Sequence, residues 1–316
     1  MGGLHDCSGG TANDPTPFLP LWQRGMGGFY GAGMVTVADY GTYETAWCPG
    51  CGNHAILGAM KEALAASGLA PRQVLFVSGI GQAAKAPHYL NANLFNGLHG
   101  RALPAATGAK LANPALKVIV ESGDGCTYGE GGNHFLAAVR RNIGLTVIVH
   151  DNQVYGLTKG QASPTSEVGF VTKAQPEGVH AEPFNPLETA VALKANFVAR
   201  GFSGMPEHLA GLIRQALAAP GFALIDVLQP CVSFNKVNTF AWYRQRVREL
   251  PAGYVPTDWA RALVTAARWG DEIPIGVIYR GNRPAYEDRV PALAAGPLVG
   301  REVDRERLAA IVDHLR

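Results

Sequence analysis

Residues Glu121–His134 read ESGDGCTYGEGGNH, in which a Gly-Asp-Gly closes an apolar run and sets one carboxylate, Asp124, among glycines. The next apolar run ends in Asp151-Asn152, so Asp124 and Asn152 stand 28 positions apart. If those runs are neighbouring parallel strands, about 4.8 Å apart, the carboxylate and the amide oxygen meet over one crevice at the strands' carboxyl ends. Such a pair suits a hard cation such as Mg²⁺, which completes its octahedron with phosphate oxygens and water. Gly123, Gly125, Gly129, Gly131 and Gly132 then let backbone N–H groups approach those phosphates at the start of a helix. An isolated Gly-Asp-Gly is most simply a turn. The distance to Asn152, across one helix and one strand, argues for the cation.

Thiols form the second set. Cys48-Pro49-Gly50-Cys51, Cys126 and Cys231, with Cys7, make five cysteines. An odd number in a reducing compartment points to ligands, catalysts or buried thiols rather than disulfides. A Trp-Cys-X-X-Cys entering a helix also suits a dithiol redox motif, which expects a strand before it, and GTYETAW is a poor buried strand. Structural zinc usually takes a second close pair, which is absent, although His54 or Cys231 could contribute. Cys126 by itself reads equally as a small buried thiol.

Apolar strands alternating with helices must position these residues. Helical spacing covers Asn53–Ser67, with Gly68 as its stop, the segment around Arg101–Ala112, Asn133–Asn142, Pro186–Arg200 and Pro206–Ala219. Continuous apolar runs at Val74–Ser78, Leu116–Ser122, Leu145–His150 and Phe222–Leu228 read as buried strands. The expected fold class is α/β, a parallel sheet with helices on both faces. Residues 1–39 read as an irregular arm, 40–235 as the domain carrying both motifs, and 236–316 as a C-terminal appendage with Trp242, Trp259, Trp269, clustered arginines and a final charged helix, Val303–Arg316. At 316 residues, 47% of them hydrophobic, the chain is long enough for one large domain plus an appendage. A net charge of +2 is too small to suggest nucleic-acid binding. No apolar run reaches the roughly 20 residues that span a bilayer, and the first residues lack a basic-then-apolar leader, so a cytoplasmic protein is expected.

The spacing from Asp124 to Asn152 resembles the thiamine diphosphate-binding motif. WCPGCGNH, SGIG, LHGRALPAATGAKLANP, GGNHFLAAVRRN, DNQVYGLTKGQASPTS and LQPCVSFN follow one another as in the β subunits of 2-oxoacid:ferredoxin oxidoreductases, from about Tyr40 to Asn235. The resemblance implies that Asp124 and Asn152 bind Mg²⁺ through side chains and Val154 through its carbonyl. It places the diphosphate against Gly123, Gly125 and Gly156, with His99 and Arg101 nearby and Asn133 in the turn below. It further implies an α subunit that supplies the glutamate activating thiamine, an (αβ)₂ assembly, and electron transfer to ferredoxin with the acyl group passing to coenzyme A. Cys48, Cys51 and Cys231 would be ligands of a 4Fe–4S cluster, which normally takes four cysteines. In many relatives the fourth follows SGIG, where this chain has Gln82, while Cys126 stands where those relatives carry Asp. The expectation is a compensating exchange, with Cys126 as the displaced ligand. Cys7, a non-cysteine ligand or no cluster are the alternatives.

The implied reaction is oxidative decarboxylation of a 2-oxoacid, 2-oxoglutarate first and pyruvate second, with Lys159 and His99 as candidate catalytic residues. Lys159 would hold a distal carboxylate or a coenzyme A phosphate, and Lys85 is a weaker candidate. His134 and His150 read as packing residues. A thiamine-dependent decarboxylase or carboligase without redox centres, and a non-catalytic subunit holding zinc, are the competing classes.

Overall fold

The computed structural model describes residues 34–294 and 296–316, and the chain from Val35 to Arg316 forms one unit. Cys7 and the expected arm before Met34 lie outside the described residues. The 3₁₀ turn Val37–Tyr40, which straddles the expected boundary at residue 39, lies within this unit, where Tyr40 is fully buried and its hydroxyl donates to the Leu69 carbonyl.

Eight strands form one sheet: β1 (Val74–Ser78), β2 (Asn93–Asn96), β3 (Lys117–Gly123), β4 (Leu145–Asp151), β7 (Phe197–Phe202), β8 (Ala223–Leu228), β9 (Val247–Glu249) and β10 (Ile273–Arg280). A separate hairpin pairs β5 (Val154–Tyr155) with β6 (Gln161–Ala162). The sheet order is β2-β1-β3-β4-β8-β7-β10-β9, and every neighbouring pair is parallel except β7 with β10.

The helices are α1 (Asn53–Ala66), α2 (Ala102–Ala112), α3 (Gly132–Arg141), α4 (Pro186–Ala192), α5 (Pro206–Ala218), α6 (Phe240–Arg246), α7 (Trp259–Ala266) and α8 (Arg305–His314). Alternating strand residues feed two cores. Val118, Val120, Val147, Val149 and Leu224 face α2, α3, α4 and α7, whereas Phe76, Ile119, Ile148 and Ile225 face α1 and α5. Each such side chain, fully buried, contributes roughly 1.5–3 kcal/mol relative to exposure, which is why strands apolar on both faces occupy the centre of the sheet.

One expectation needs correction. The helix expected over Pro186–Arg200 ends at Ala192; Lys194 turns into a left-handed conformation (φ 57°) and Phe197–Phe202 is a central strand. Its FVARGF sequence conceals the strand because Arg200 is buried there, donating to the carbonyls of Ala266, Arg268 and Pro274. The segment after residue 235 adds β9 and β10 to the sheet. Trp242 and Trp269 pack beside Phe202 and Leu228, with the Arg246 guanidinium 4.3 Å from the Trp242 ring centre.

Candidate active site

Three adjacent parallel strands deliver the site. β3 ends at Gly123, paired with His150, and β4 ends at Asp151, paired with Leu228 of β8. The next residues along these strands are Asp124, Asn152 and Gln229, which therefore lie side by side at the carboxyl edge of the sheet.

Asp124 opens a π-helical turn, Gly125–Glu130, that leads into α3. Its carboxylate is buried and accepts hydrogen bonds from Ser163 Oγ (2.5 Å) and Thr165 Oγ1 (2.8 Å). Burial raises its pKa; the two hydroxyls and the Gly125 N–H oppose that rise, and no cationic side chain contributes. A buried carboxylate facing an open pocket without a cationic neighbour suits a bound divalent ion. Asn152 is fixed at both ends of its amide: Nδ2 donates to Gln229 Oε1 (3.1 Å), and Oδ1 accepts from the Val154 N–H (3.1 Å). Gln153, at φ 59°, makes the sharp turn between Asn152 and Val154, with Nε2 donating to the Thr165 carbonyl and its own carbonyl accepting from Ser166 Oγ.

Asp124, Gly125, Cys126, Asn152, Val154 and Gly156 line one pocket together with His99, Gln82 and Tyr155. At Gly125 a Cβ would collide with the Tyr155 ring, so glycine is what lets that ring lie against the loop. His99 Nδ1 lies 3.0 Å from Glu130 Oε2, and its ring centre lies 6.0 Å from that of Tyr155. Carboxylate, amide oxygen and glycine cradle together fit Mg²⁺ and a diphosphate.

The thiols divide into two places. Cys48, Cys51 and Cys231 come together: burial first, then the nearby Cys231 and Cys48, push the Cys51 thiol up. Each sulfur accepts a hydrogen bond, Cys48 from Ser233 Oγ (3.1 Å), Cys51 from Gln229 Nε2 (3.4 Å) and Cys231 from the Phe234 N–H (3.4 Å). Donors aimed at sulfur suit thiolate ligands. Among the described residues no three His, Cys, Asp or Glu side chains converge as a single ion requires, and His54 turns its Nε2 to the Cys48 carbonyl. No strand precedes Cys48 among the described residues, so the context of a dithiol redox motif is missing. Cys126 is buried apart from the other three, its Sγ accepting the Gly100 N–H at 3.1 Å. A Cβ at Gly79 would collide with that sulfur, which accounts for the glycine in SGIG.

Residues 75–227 match the family model described as the thiamine pyrophosphate enzyme, C-terminal TPP binding domain, and residues 231–295 match the model for the C terminal of the pyruvate ferredoxin oxidoreductase beta chain. The 2-oxoacid:ferredoxin oxidoreductase subunit beta of Sulfolobus sp is 44% identical over 263 residues, covering 78% of this chain and 85% of that protein. The chain belongs to the 2-oxoacid:ferredoxin oxidoreductase β subunits. The Mycobacterium tuberculosis 2-oxoglutarate oxidoreductase subunit KorB is 45% identical over 192 residues, 61% of this chain and 52% of that one. A 2-oxoglutarate:ferredoxin oxidoreductase from Magnetococcus marinus, solved with 2-oxoglutarate, coenzyme A and succinyl-CoA bound, superposes with a TM-score of 0.81 at 34% identity, over 87% of this chain and 95% of that chain.

Within this β subunit some candidate residues lie away from the pocket. Lys159 is exposed at the tip of the β5–β6 hairpin in a left-handed conformation (φ 71°). Arg101 donates to His134 Nε2 (2.5 Å), Asn133 is exposed in the first turn of α3, and His150 is enclosed between Asn53 and Glu121. Sequence reading missed Ser163, Thr165, Tyr155 and Gln229. The hydroxyl cluster in ASPTS was the available signal for Ser163 and Thr165. No described helix is long and apolar enough to cross a membrane.

Proposed function

We propose that this β subunit, joined to an α subunit in an (αβ)₂ assembly in the cytoplasm, converts 2-oxoglutarate and coenzyme A to succinyl-CoA and CO₂, passing two electrons singly to ferredoxin. The observation that carries this reading is the placement of Asp124 and Asn152 just past adjacent strand ends, lining one pocket with Gly123, Gly125 and Gly156, beside a three-thiol group. The 2-oxoglutarate choice rests on the names of the Mycobacterium and Magnetococcus relatives. Pyruvate is the second candidate.

Thiamine diphosphate supplies the carbanion chemistry when bound. Asp124, Asn152 and the Val154 carbonyl hold Mg²⁺, and Gly123, Gly125 and Gly156 leave room for backbone to meet the diphosphate. His99, which lines the pocket, is placed to exchange a proton or orient an anion, with Glu130 Oε2 3.0 Å from its Nδ1. Arg101 and Asn133 border this region. Lys159, on its hairpin tip, meets the distal carboxylate or a coenzyme A phosphate. The thiamine-activating glutamate comes from the α subunit.

Cys48, Cys51 and Cys231 hold three corners of a 4Fe–4S cluster. For the fourth, Cys126 and Gln82 line the same pocket. We assign it to Cys126 because thiolate is the usual iron ligand; its sulfur accepts the Gly100 N–H, a donor of the kind that the other three sulfurs also have. The test is iron and acid-labile sulfide per β chain in the anaerobically co-expressed complex, wild type against Cys126→Ser. Full occupancy in the wild type with loss in the variant is expected. An unchanged cluster would exclude Cys126, and a colourless wild type with thiamine bound would point to non-redox decarboxylation.

A further inference from the structure

Gln229 occupies the strand end next to Asn152 and is 1% exposed. Its main-chain N–H donates to the Asp151 carbonyl (2.9 Å), which pins it to β4. The side chain makes three contacts in two directions: Oε1 accepts from Asn152 Nδ2 (3.1 Å), while Nε2 donates to the Pro230 carbonyl (3.0 Å) and to Cys51 Sγ (3.4 Å). The backbone sets the orientation of both amides. A carbonyl only accepts, so Pro230 holds the Gln229 NH₂ on its own side and leaves Oε1 for Asn152. Asn152 must then turn its NH₂ toward Gln229, which leaves Oδ1, fixed also by the Val154 N–H, as the oxygen available to a cation. Gly52 is part of the same device. A Cβ there would lie 2.8 Å from Gln229 Cγ and 2.7 Å from Ser203 Oγ, so the residue after Cys51 has to be glycine for the amide to lie between the two sites.

We propose that Gln229 is a positioning residue joining the two centres, its one amide aiming the Asn152 oxygen at the metal and placing an N–H on the Cys51 sulfur. The inference rests on the metal and cluster assignments proposed above. Hydrogen bonds to ligand sulfur help set the potential of an iron–sulfur centre, and partners behind a metal ligand typically change metal affinity 10–100-fold.

Two substitutions separate the two ends. In Gln229→Glu the carboxylate still accepts from Asn152 but gives no N–H to Cys51. Gln229→Leu removes both contacts. In the anaerobically purified αβ complex two quantities are measured: the Mg²⁺ concentration that half-saturates thiamine diphosphate retention, and the cluster potential by EPR-monitored redox titration with iron content recorded. For Gln229→Glu we expect the Mg²⁺ requirement to stay within about threefold of wild type while the potential moves negative. For Gln229→Leu both should move, the Mg²⁺ requirement by roughly tenfold or more. Wild-type values for both quantities in the Leu variant, or a change in only one of them, would overturn the link. Iron and thiamine content of the wild-type complex report separately on the proposed function, and a wild type free of iron would end both readings.

Discussion

At the scale of single residues, the acids behind the pocket differ in what holds them. Thr165 Oγ1 lies between Asp124 (2.8 Å) and Asp151 (2.7 Å), with one proton to give to either, while Asp226, one strand further, accepts from the Tyr128 hydroxyl (2.7 Å) and lies near the buried Arg200. Burial pushes the Asp226 carboxyl up to about 6 from 3.8, opposed by Tyr128 and Arg200. A carboxyl raised in the folded state binds more protons there than in the unfolded chain, so its effect on stability worsens as pH rises from about 4 to about 6. Asp226→Asn keeps an acceptor for Tyr128 and removes the titration. Its unfolding free energy, from urea titrations at half-unit steps across that window, should depend less steeply on pH than that of the wild type. An equally steep profile would place the titration elsewhere.

At the scale of elements, one residue joins three. Asn142 ends α3 in a left-handed conformation (φ 58°) with its side chain fully buried. Nδ2 donates to the carbonyls of Arg283 (3.1 Å) and Pro284 (3.0 Å), and Oδ1 accepts from the Phe222 N–H (3.0 Å) at the entry to β8. Asn142→Ala loses all three bonds and strains the backbone, and about 3 kcal/mol or more of stability should go with it. Asn142→Gly relieves the backbone but not the bonds, so its midpoint in urea should fall between alanine and wild type; equal values for the two variants would assign the whole effect to the side chain.

The same residue shows what sequence can and cannot reveal. Asn142 is legible as a helix stop because asparagine tolerates that conformation. Its partners about 140 residues away are not, because nothing local marks Arg283 and Pro284 as acceptors. The strands of the central sheet were legible because burial on both faces leaves an unbroken apolar run. β2 (NLFN) was missed because it is an exposed edge, and β7 because a satisfied Arg200 looks like a solvated one. In the site, Asp124, Asn152 and the CPGC pair were legible from type and spacing. Gln229 was not, since its importance comes from β8 lying beside β4, a pairing that no local pattern encodes.

At the scale of the whole molecule, the mouth of the pocket carries exposed apolar side chains among the described residues. Ile80 and Leu157 line it and are half-exposed, and Leu98, beside His99, is 75% exposed. Leu94 and Phe95 extend the exposed apolar surface along β2, the edge strand next to β1. Exposed apolar side chains clustered around a pocket mark an interaction surface. The proposed reaction needs one here, because a glutamate from the α subunit has to reach the thiamine half of the cofactor. Leu98→Asp leaves every described core contact in place and puts a charge on that exposed apolar surface, next to His99 of the pocket. Co-purification of the α subunit on a tagged β subunit should fall at least tenfold while the melting temperature of the β chain alone stays at its wild-type value. Full recovery of the α subunit with Leu98→Asp would move the interface away from the pocket mouth, and the glutamate would then need another route to the cofactor.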